Sequence, residues 1–343
     1  MDHITPQDIP RDSSTDRFFQ LDGWRGISIL CVLAAHLLPL GPAILKLNPT
    51  AGAMGMSLFF TLSGFLITTF LLDRPQPLPF LVRRFCRILP LAWLFMLITL
   101  WLHGRNLPEW MANFLFYLNY KPAYPQSFNS HMWSLCVEMH FYVLVALLVG
   151  VCGKRGLMLL PVACLSVTTL RVVKGVYISN ATHLRIDEIL VGASLALIFT
   201  VGQGRGKRWL GRISPWLAIL ALAVICNPYA GPLQYLRPYA GGIAIGTTLV
   251  RPDHRFSQFL KSRFLVYLAT ISYALYVIHG PLRAGWFAGS GTIDRYLVKR
   301  PIGIALTFAL AHISTFYFEA FWIKIGKALT ASRNQKVAKV SAN

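Results

Sequence analysis

Residues 51–72 read AGAMGMSLFFTLSGFLITTFLL, an apolar run without a single charged side chain. A hydrocarbon core of ~30 Å is crossed by about 20 helical residues, so a run of this length fits a transmembrane helix. A second uncharged run, 27–45, precedes it. Over its 343 residues the chain is 55% hydrophobic and 13% charged, where a soluble domain carries about a quarter charged residues. That balance needs lipid as its solvent. Ten spans are predicted, near 24–45, 51–72, 88–103, 133–152, 156–170, 187–201, 213–227, 239–250, 264–280 and 301–323. The expected fold class is all-α: a polytopic membrane helix bundle of about ten transmembrane helices.

A formal charge of +20 would point a soluble protein toward nucleic acid, but here the basic residues cluster between apolar runs. With the N-terminus in the cytoplasm, the inner segments are the N-terminal tail, 73–87, 153–156, 202–212, 251–263 and the C-terminal tail. Counting Arg25, they hold 22 of the 33 Lys and Arg, and the outer segments hold 11. The positive-inside rule thus puts both termini in the cytoplasm and accounts for the basic excess without a nucleic-acid partner. The first 20 residues contain Asp2, Asp8, Asp12 and Asp16, unlike a cleavable signal peptide. Cys31, Cys86, Cys136, Cys152, Cys164 and Cys226 show no CxxC spacing, so they read as packing residues and not as a metal site or disulfide framework. The organisation expected is a tail over 1–20, one transmembrane domain over 21–328 and a second tail over 329–343, both tails flexible. The longest segment between spans, about 104–132, contains Pro108, Trp110, Pro122, Tyr124 and Pro125 and reads as a loop at the outer interface.

Ionisable side chains inside spans are costly in lipid and mark cavities or partners. They are His36, Glu138, His140, His279, His312 and Glu319. His36 lies about 12 residues into the first span, ~18 Å from the inner rim. Glu138 enters from outside and lies at a comparable depth, ~20 Å above that rim. A carboxylate that accepts from one imidazole nitrogen fixes the tautomer and raises the basicity of the other, as a general base for a hydroxyl requires. A satisfied packing histidine is the competing reading. At the inner edge, Arg84 and Arg87 are three residues apart and share a helix face, with Arg25 on the same side. They are either topology anchors or a fork for a cytoplasmic phosphorylated ligand.

Several segments resemble the acyltransferase family 3 membrane proteins, O-acyltransferases of bacterial polysaccharides and oligosaccharides. They are Leu21-Asp22-Gly23-Trp24-Arg25-Gly26 with His36; Phe59-Phe60-Thr61-Leu62-Ser63-Gly64-Phe65-Leu66; Arg84-Phe85-Cys86-Arg87-Ile88-Leu89-Pro90; and Trp133-Ser134-Leu135-Cys136-Val137-Glu138 with Phe141-Tyr142. Weaker matches are Arg185-Ile186-Asp187-Glu188 before Gly192, and Ser272-Tyr273-Ala274-Leu275-Tyr276 with His279 and Pro281. His140 stands where the family usually has Gln. Glu319 lacks the Pro that normally follows closely, which leaves its role open.

The resemblance implies an O-acyltransferase in the bacterial inner membrane. Its donor would be acetyl-CoA or another acyl-CoA, with no permanently bound cofactor and no metal. Its acceptor would be a sugar hydroxyl of a polysaccharide or of a lipid-linked or free oligosaccharide, in the cell envelope or exported. On this reading Arg25, Arg84 and Arg87 hold the CoA phosphates, His36 is the general base and Glu138 orients it. Ser63, Trp133 and Ser134 shape the substrate site, and Ser63 with the backbone near Gly64 are candidates for the oxyanion. No fused extracytoplasmic esterase-like domain is expected on this reading, and a membrane-bound precursor or a separate extracytoplasmic acyl-accepting protein is the expected recipient. Acetyl versus succinyl, and direct versus covalent two-step transfer, stay open. A transporter or flippase of a glycan precursor is the alternative, since it too would place His and Glu in a membrane cavity.

Overall fold

The computed structural model describes residues 19–121, 128–283 and 285–340, with side chains to residue 331. Pro122, Tyr124 and Pro125 of the expected outer loop lie outside the described residues, as do 1–18 of the N-terminal tail. No strand occurs among the described residues. Fourteen α-helices follow one another: α1 Phe19–Leu37, α2 Leu47–Asp73, α3 Pro77–Leu102, α4 Leu107–Phe114, α5 Trp133–Cys152, α6 Leu160–Val173, α7 Asp187–Thr200, α8 Arg205–Leu210, α9 Pro215–Cys226, α10 Arg237–Val250, α11 Arg255–Phe259, α12 Arg263–Ile278, α13 Arg300–Ile313 and α14 Ala320–Val340. Short π-helical turns, Asp294–Lys299 and Ser314–Glu319, flank α13.

Among the described residues, four helical stretches are long and apolar enough to cross a membrane: Ala43–Asp73, Pro77–Leu102, Ser130–Val173 and Asp294–Ala331. A fifth is added if Pro215–Cys226 and Pro228–Val250, which meet at a 119° bend, count as one broken span. Ser130–Val173 itself changes direction at Gly153, whose φ of 61° ends α5; a side chain there would resist that backbone.

Two boundaries differ from the sequence expectation and both move the site. The first apolar run, expected to be helical to residue 45, stops at Leu37. Pro39 cannot continue an α-helical ladder, and Gly41-Pro42 turns the chain into α2. His36 therefore sits in the last turn of α1 and not mid-helix. The third span begins eleven residues earlier than expected, at Pro77 in place of 88, because Pro is well suited to a helix start. Arg83, Arg84 and Arg87 thus ride on a formed helix. At the other end, α14 stays helical through Val340, where a flexible tail was expected from residue 329.

Helices α1, α2, α7 and α12 form the packed centre, around the buried Trp24, Leu58, Phe60, Ile189 and Leu275. Small residues set the α2–α7 spacing. A Cβ on Gly64 would lie 1.9 Å from the Ile189 carbonyl oxygen, and one on Gly192 would lie 1.9 Å from that of Thr61. Each backbone occupies the space the other's side chain would need, which is how membrane helices gain close van der Waals contact.

Candidate functional site

Where α1 and α12 end, three histidines meet. His36 Nδ1 lies 2.9 Å from His279 Nε2. His279 Nδ1 lies 2.6 Å from the Tyr276 carbonyl oxygen. His131, in the turn before α5, places its Nε2 3.1 Å from the Val277 carbonyl oxygen and its ring centroid 4.6 Å from that of His279. The last carbonyls of an α-helix have no intrahelical partner, so the end of α12 offers acceptors that these side chains satisfy. His131 can approach because residue 280 is Gly: a Cβ there would lie 2.1 Å from the Phe128 carbonyl oxygen and 2.4 Å from the His131 ring.

His36 faces a cavity of about 410 Å³. Its wall includes Asn48, His131, Trp133, Asn180, Arg185 and Tyr276. The Arg185 guanidinium lies 5.2 Å from the Trp133 ring and 5.9 Å from that of Phe60, which holds the indole at the cavity wall. Ser134 is buried beneath, its Oγ 2.5 Å from the Tyr276 hydroxyl, which also donates to the His131 carbonyl oxygen.

Glu138 is not the partner of His36. Its Oε1 accepts from the Ser63 hydroxyl at 2.5 Å and the Tyr142 hydroxyl at 2.6 Å. The expected meeting rested on equal depth. Because α1 stops at Leu37, His36 lies at a helix end while Glu138 lies a full turn into α5. Ser63 is spent on Glu138 and does not line the cavity. The backbone at Gly64 is packed against α7, which removes it as an oxyanion donor.

The arginines do converge. Arg25 on α1 is in electrostatic range of Arg84 and Arg87 on α3, and of Glu138. The Arg84 guanidinium sits 5.8 Å from the Phe80 ring and 5.7 Å from the Tyr142 ring. None of the three closes an ion pair among the described residues. Arginine cluster, Glu138 with its two hydroxyls, Tyr276 with Ser134, and the histidine cavity therefore form a sequence of polar groups inside an apolar bundle. His140 lies apart, its Nδ1 2.7 Å from the Thr182 hydroxyl, and His312 meets the Tyr267 hydroxyl at 3.0 Å. Glu319 accepts from Thr315 at 3.0 Å within its own π-helical turn.

A second buried network backs the cavity wall. Glu188 accepts from Arg237 Nε at 2.6 Å and pairs with Arg185 at 3.3 Å, while Asp187 pairs with Arg171 at 2.5 Å. All five residues are at most 3% exposed. Arg185 and Glu188 were visible in the sequence as a weak motif. The pairing with Arg171 and Arg237 was not, because these lie on other helices.

A family model described as an acyltransferase domain matches residues 18–318. Among curated proteins, the chain is 26% identical over 311 residues to YrhL of Bacillus subtilis (strain 168), provisionally named a peptidoglycan O-acetyltransferase, covering 76% of this chain and 48% of that protein. It is 24% identical to the peptidoglycan O-acetyltransferase OatA of Listeria monocytogenes, covering 87% of this chain and 54% of that one. A provisionally named O-acetyltransferase of Staphylococcus aureus (strain COL) is 25% identical, with 90% and 58% covered. The chain thus spans about half the length of the curated relatives it matches. No solved structure matches it. The match over residues 18–318 takes in the arginine cluster, the Trp133–Glu138 segment and all three histidines, and the chain belongs to acyltransferase family 3.

Proposed function

We propose that this chain is a membrane-embedded O-acyltransferase that moves an acyl group, acetyl in the simplest case, from a cytoplasmic acyl-CoA to a sugar hydroxyl on the outer side. The names of its relatives direct attention to a peptidoglycan-like glycan polymer as acceptor. In this reading the bundle has about ten spans in the inner membrane, with both termini cytoplasmic. The observation that carries it is the pairing of two sites in one bundle: a cluster of half-buried arginines that closes no ion pair among the described residues, and a cavity lined by His36, whose one hydrogen bond among the described residues is made through Nδ1.

Arg25, Arg84 and Arg87 hold the CoA phosphates, for which planar guanidinium groups offer paired donors. The pantetheine arm runs past Glu138, Ser63 and Tyr142 toward the cavity. His36 takes the proton of the acceptor hydroxyl as its oxygen attacks the thioester carbonyl, and returns it to the departing thiolate, so that ester and free CoA thiol are formed. Trp133 gives the sugar an apolar face.

The test measures transfer of label from acetyl-CoA to envelope glycans by membranes holding equal amounts of wild type, His36→Ala and Arg84→Ala/Arg87→Ala. His36→Ala is expected to lose ~100-fold or more in kcat. The double arginine variant is expected to raise the KM for acetyl-CoA at least tenfold. Wild-type turnover in both variants would overturn the assignment.

A further inference from the structure

The histidine pair carries an inference about how His36 is made basic, which rests on reading His36 as the base. A backbone carbonyl only accepts hydrogen bonds. The proton between His279 and the Tyr276 oxygen, 2.6 Å apart, therefore sits on His279 Nδ1. His279 is fully buried, and its hydrogen-bond partners among the described residues include no carboxylate, so the ring holds that one proton and its Nε2 carries a lone pair. That lone pair is 2.9 Å from His36 Nδ1, so His36 must donate there. What is left on His36 is Nε2, unprotonated, on a ring that lines the cavity.

The ring geometry supports an in-line bond. The two ring planes differ by 9° and their centroids are 5.1 Å apart. That separation is the 2.9 Å nitrogen–nitrogen distance plus one ring radius on each side, so the imidazoles lie edge to edge in nearly one plane and not face to face. Imidazole lone pairs lie in the ring plane, and this is the arrangement in which one ring's N–H points at the other's lone pair.

We infer that His279 is the positioning residue for His36, fixing its tautomer and sharing the positive charge that His36 gains when it takes a proton. The end of α12 contributes to the same effect. Carbonyl oxygens concentrate there, and the negative end of the helix dipole favours a cation beside it. Groups facing the pair are His131, Tyr276 and Arg283; the positive Arg283 makes the carbonyls at the helix end the principal stabilisers. During transfer the proton moves from the acceptor hydroxyl to His36 Nε2 and then to the CoA thiolate. The Nδ1 proton of His36 stays on the bond to His279 throughout.

The experiment compares His279→Gln, His279→Phe and His36→Ala with wild type, following kcat and KM for labelled acyl transfer in membranes of matched protein content. A glutamine amide oxygen reaches the place of Nε2 and accepts from His36; phenylalanine fills the volume and accepts nothing. His279→Phe is expected to lose ~100-fold in kcat with both KM values within about twofold of wild type. His279→Gln is expected to recover at least tenfold of that loss. Equal losses in the two variants, or a loss confined to KM, would assign His279 to packing and overturn the inference. Wild-type turnover in His36→Ala would instead overturn the base assignment on which it rests. Should His279→Phe fail to accumulate, the kcat of His279→Gln decides alone: a loss beyond tenfold with unchanged melting temperature overturns the positioning role.

Discussion

Glu138 shows how a single buried carboxylate is kept soluble in a helix bundle. A charge out of water needs partners for its lone pairs, and two hydroxyls, from Ser63 one helix away and Tyr142 one turn on, supply them on Oε1. Tyr142 is also the ring beneath Arg84, so it links the carboxylate to the arginine cluster through opposite ends of one side chain. Tyr142→Phe keeps that ring and removes the hydroxyl. The expected cost is ~1–3 kcal/mol from the depleted hydrogen bonding of a buried charge, read as a lowered melting temperature in detergent; an unchanged melting curve would mean that water replaces the hydroxyl. At this scale the identities of the polar residues were legible in the sequence, since His36, Glu138, His279 and the arginines stand out against an apolar background. Their partners were not. His279 meets His36 through Nε2 only because its Nδ1 is held by a backbone carbonyl, and every residue has one; only its position at the end of α12 makes the Tyr276 oxygen special. His131 was hidden for a different reason, because it lies in a connecting turn outside the predicted spans, where a histidine costs nothing.

Between elements, the contact that positions everything else is the seam of α2 and α7. Gly64 and Gly192 each face a carbonyl oxygen of the opposite helix at 1.9 Å from where a Cβ would stand. Neither carbonyl can retreat without loosening a helix. Gly64→Ala or Gly192→Ala is expected to cost at least ~1–3 kcal/mol through overpacking, while Gly150→Ala, whose nearest neighbour would be 3.8 Å away, should be neutral or mildly stabilising. Thermal melting of the three purified variants checks the contrast; three equal melting temperatures would show that α2 and α7 separate freely. The helices α2, α5, α7 and α12 lie close to the spans that hydropathy predicts. The ends of α1 and α3 do not. Hydropathy averages over a window and cannot register that Pro39 closes one helix and Pro77 opens another, and those few residues decide which polar groups share a depth.

The molecule as a whole is an apolar bundle with charge gathered at two interior places. One, the arginine cluster, closes no ion pair among the described residues and has only Asp22, Glu138 and Glu319 within electrostatic range. The other is closed, with Glu188 shared by Arg185 and Arg237 and Asp187 held by Arg171. Breaking a buried pair costs more than the pair contributes, because the surviving charge is stranded. Glu188→Gln is accordingly expected to destabilise by ~3–5 kcal/mol, seen as loss of protein from the membrane or a large drop in melting temperature; normal yield and stability would mean that the arginines find other anions. The same pairs bear on how the chain enters the bilayer during synthesis. On the proposed reading of about ten spans, α6 as a separate segment would present Arg171 to lipid and α7 would present Asp187 and Glu188, each at a cost that its 14 residues do little to offset. Taken together the charges of Arg171 and Asp187 cancel, so insertion proceeds most easily when the two helices leave the translocation channel as one hairpin. Glu188 then needs Arg185 beside it until Arg237 arrives on α10, which makes the emergence of α10 the step that commits the nascent chain to its final packing.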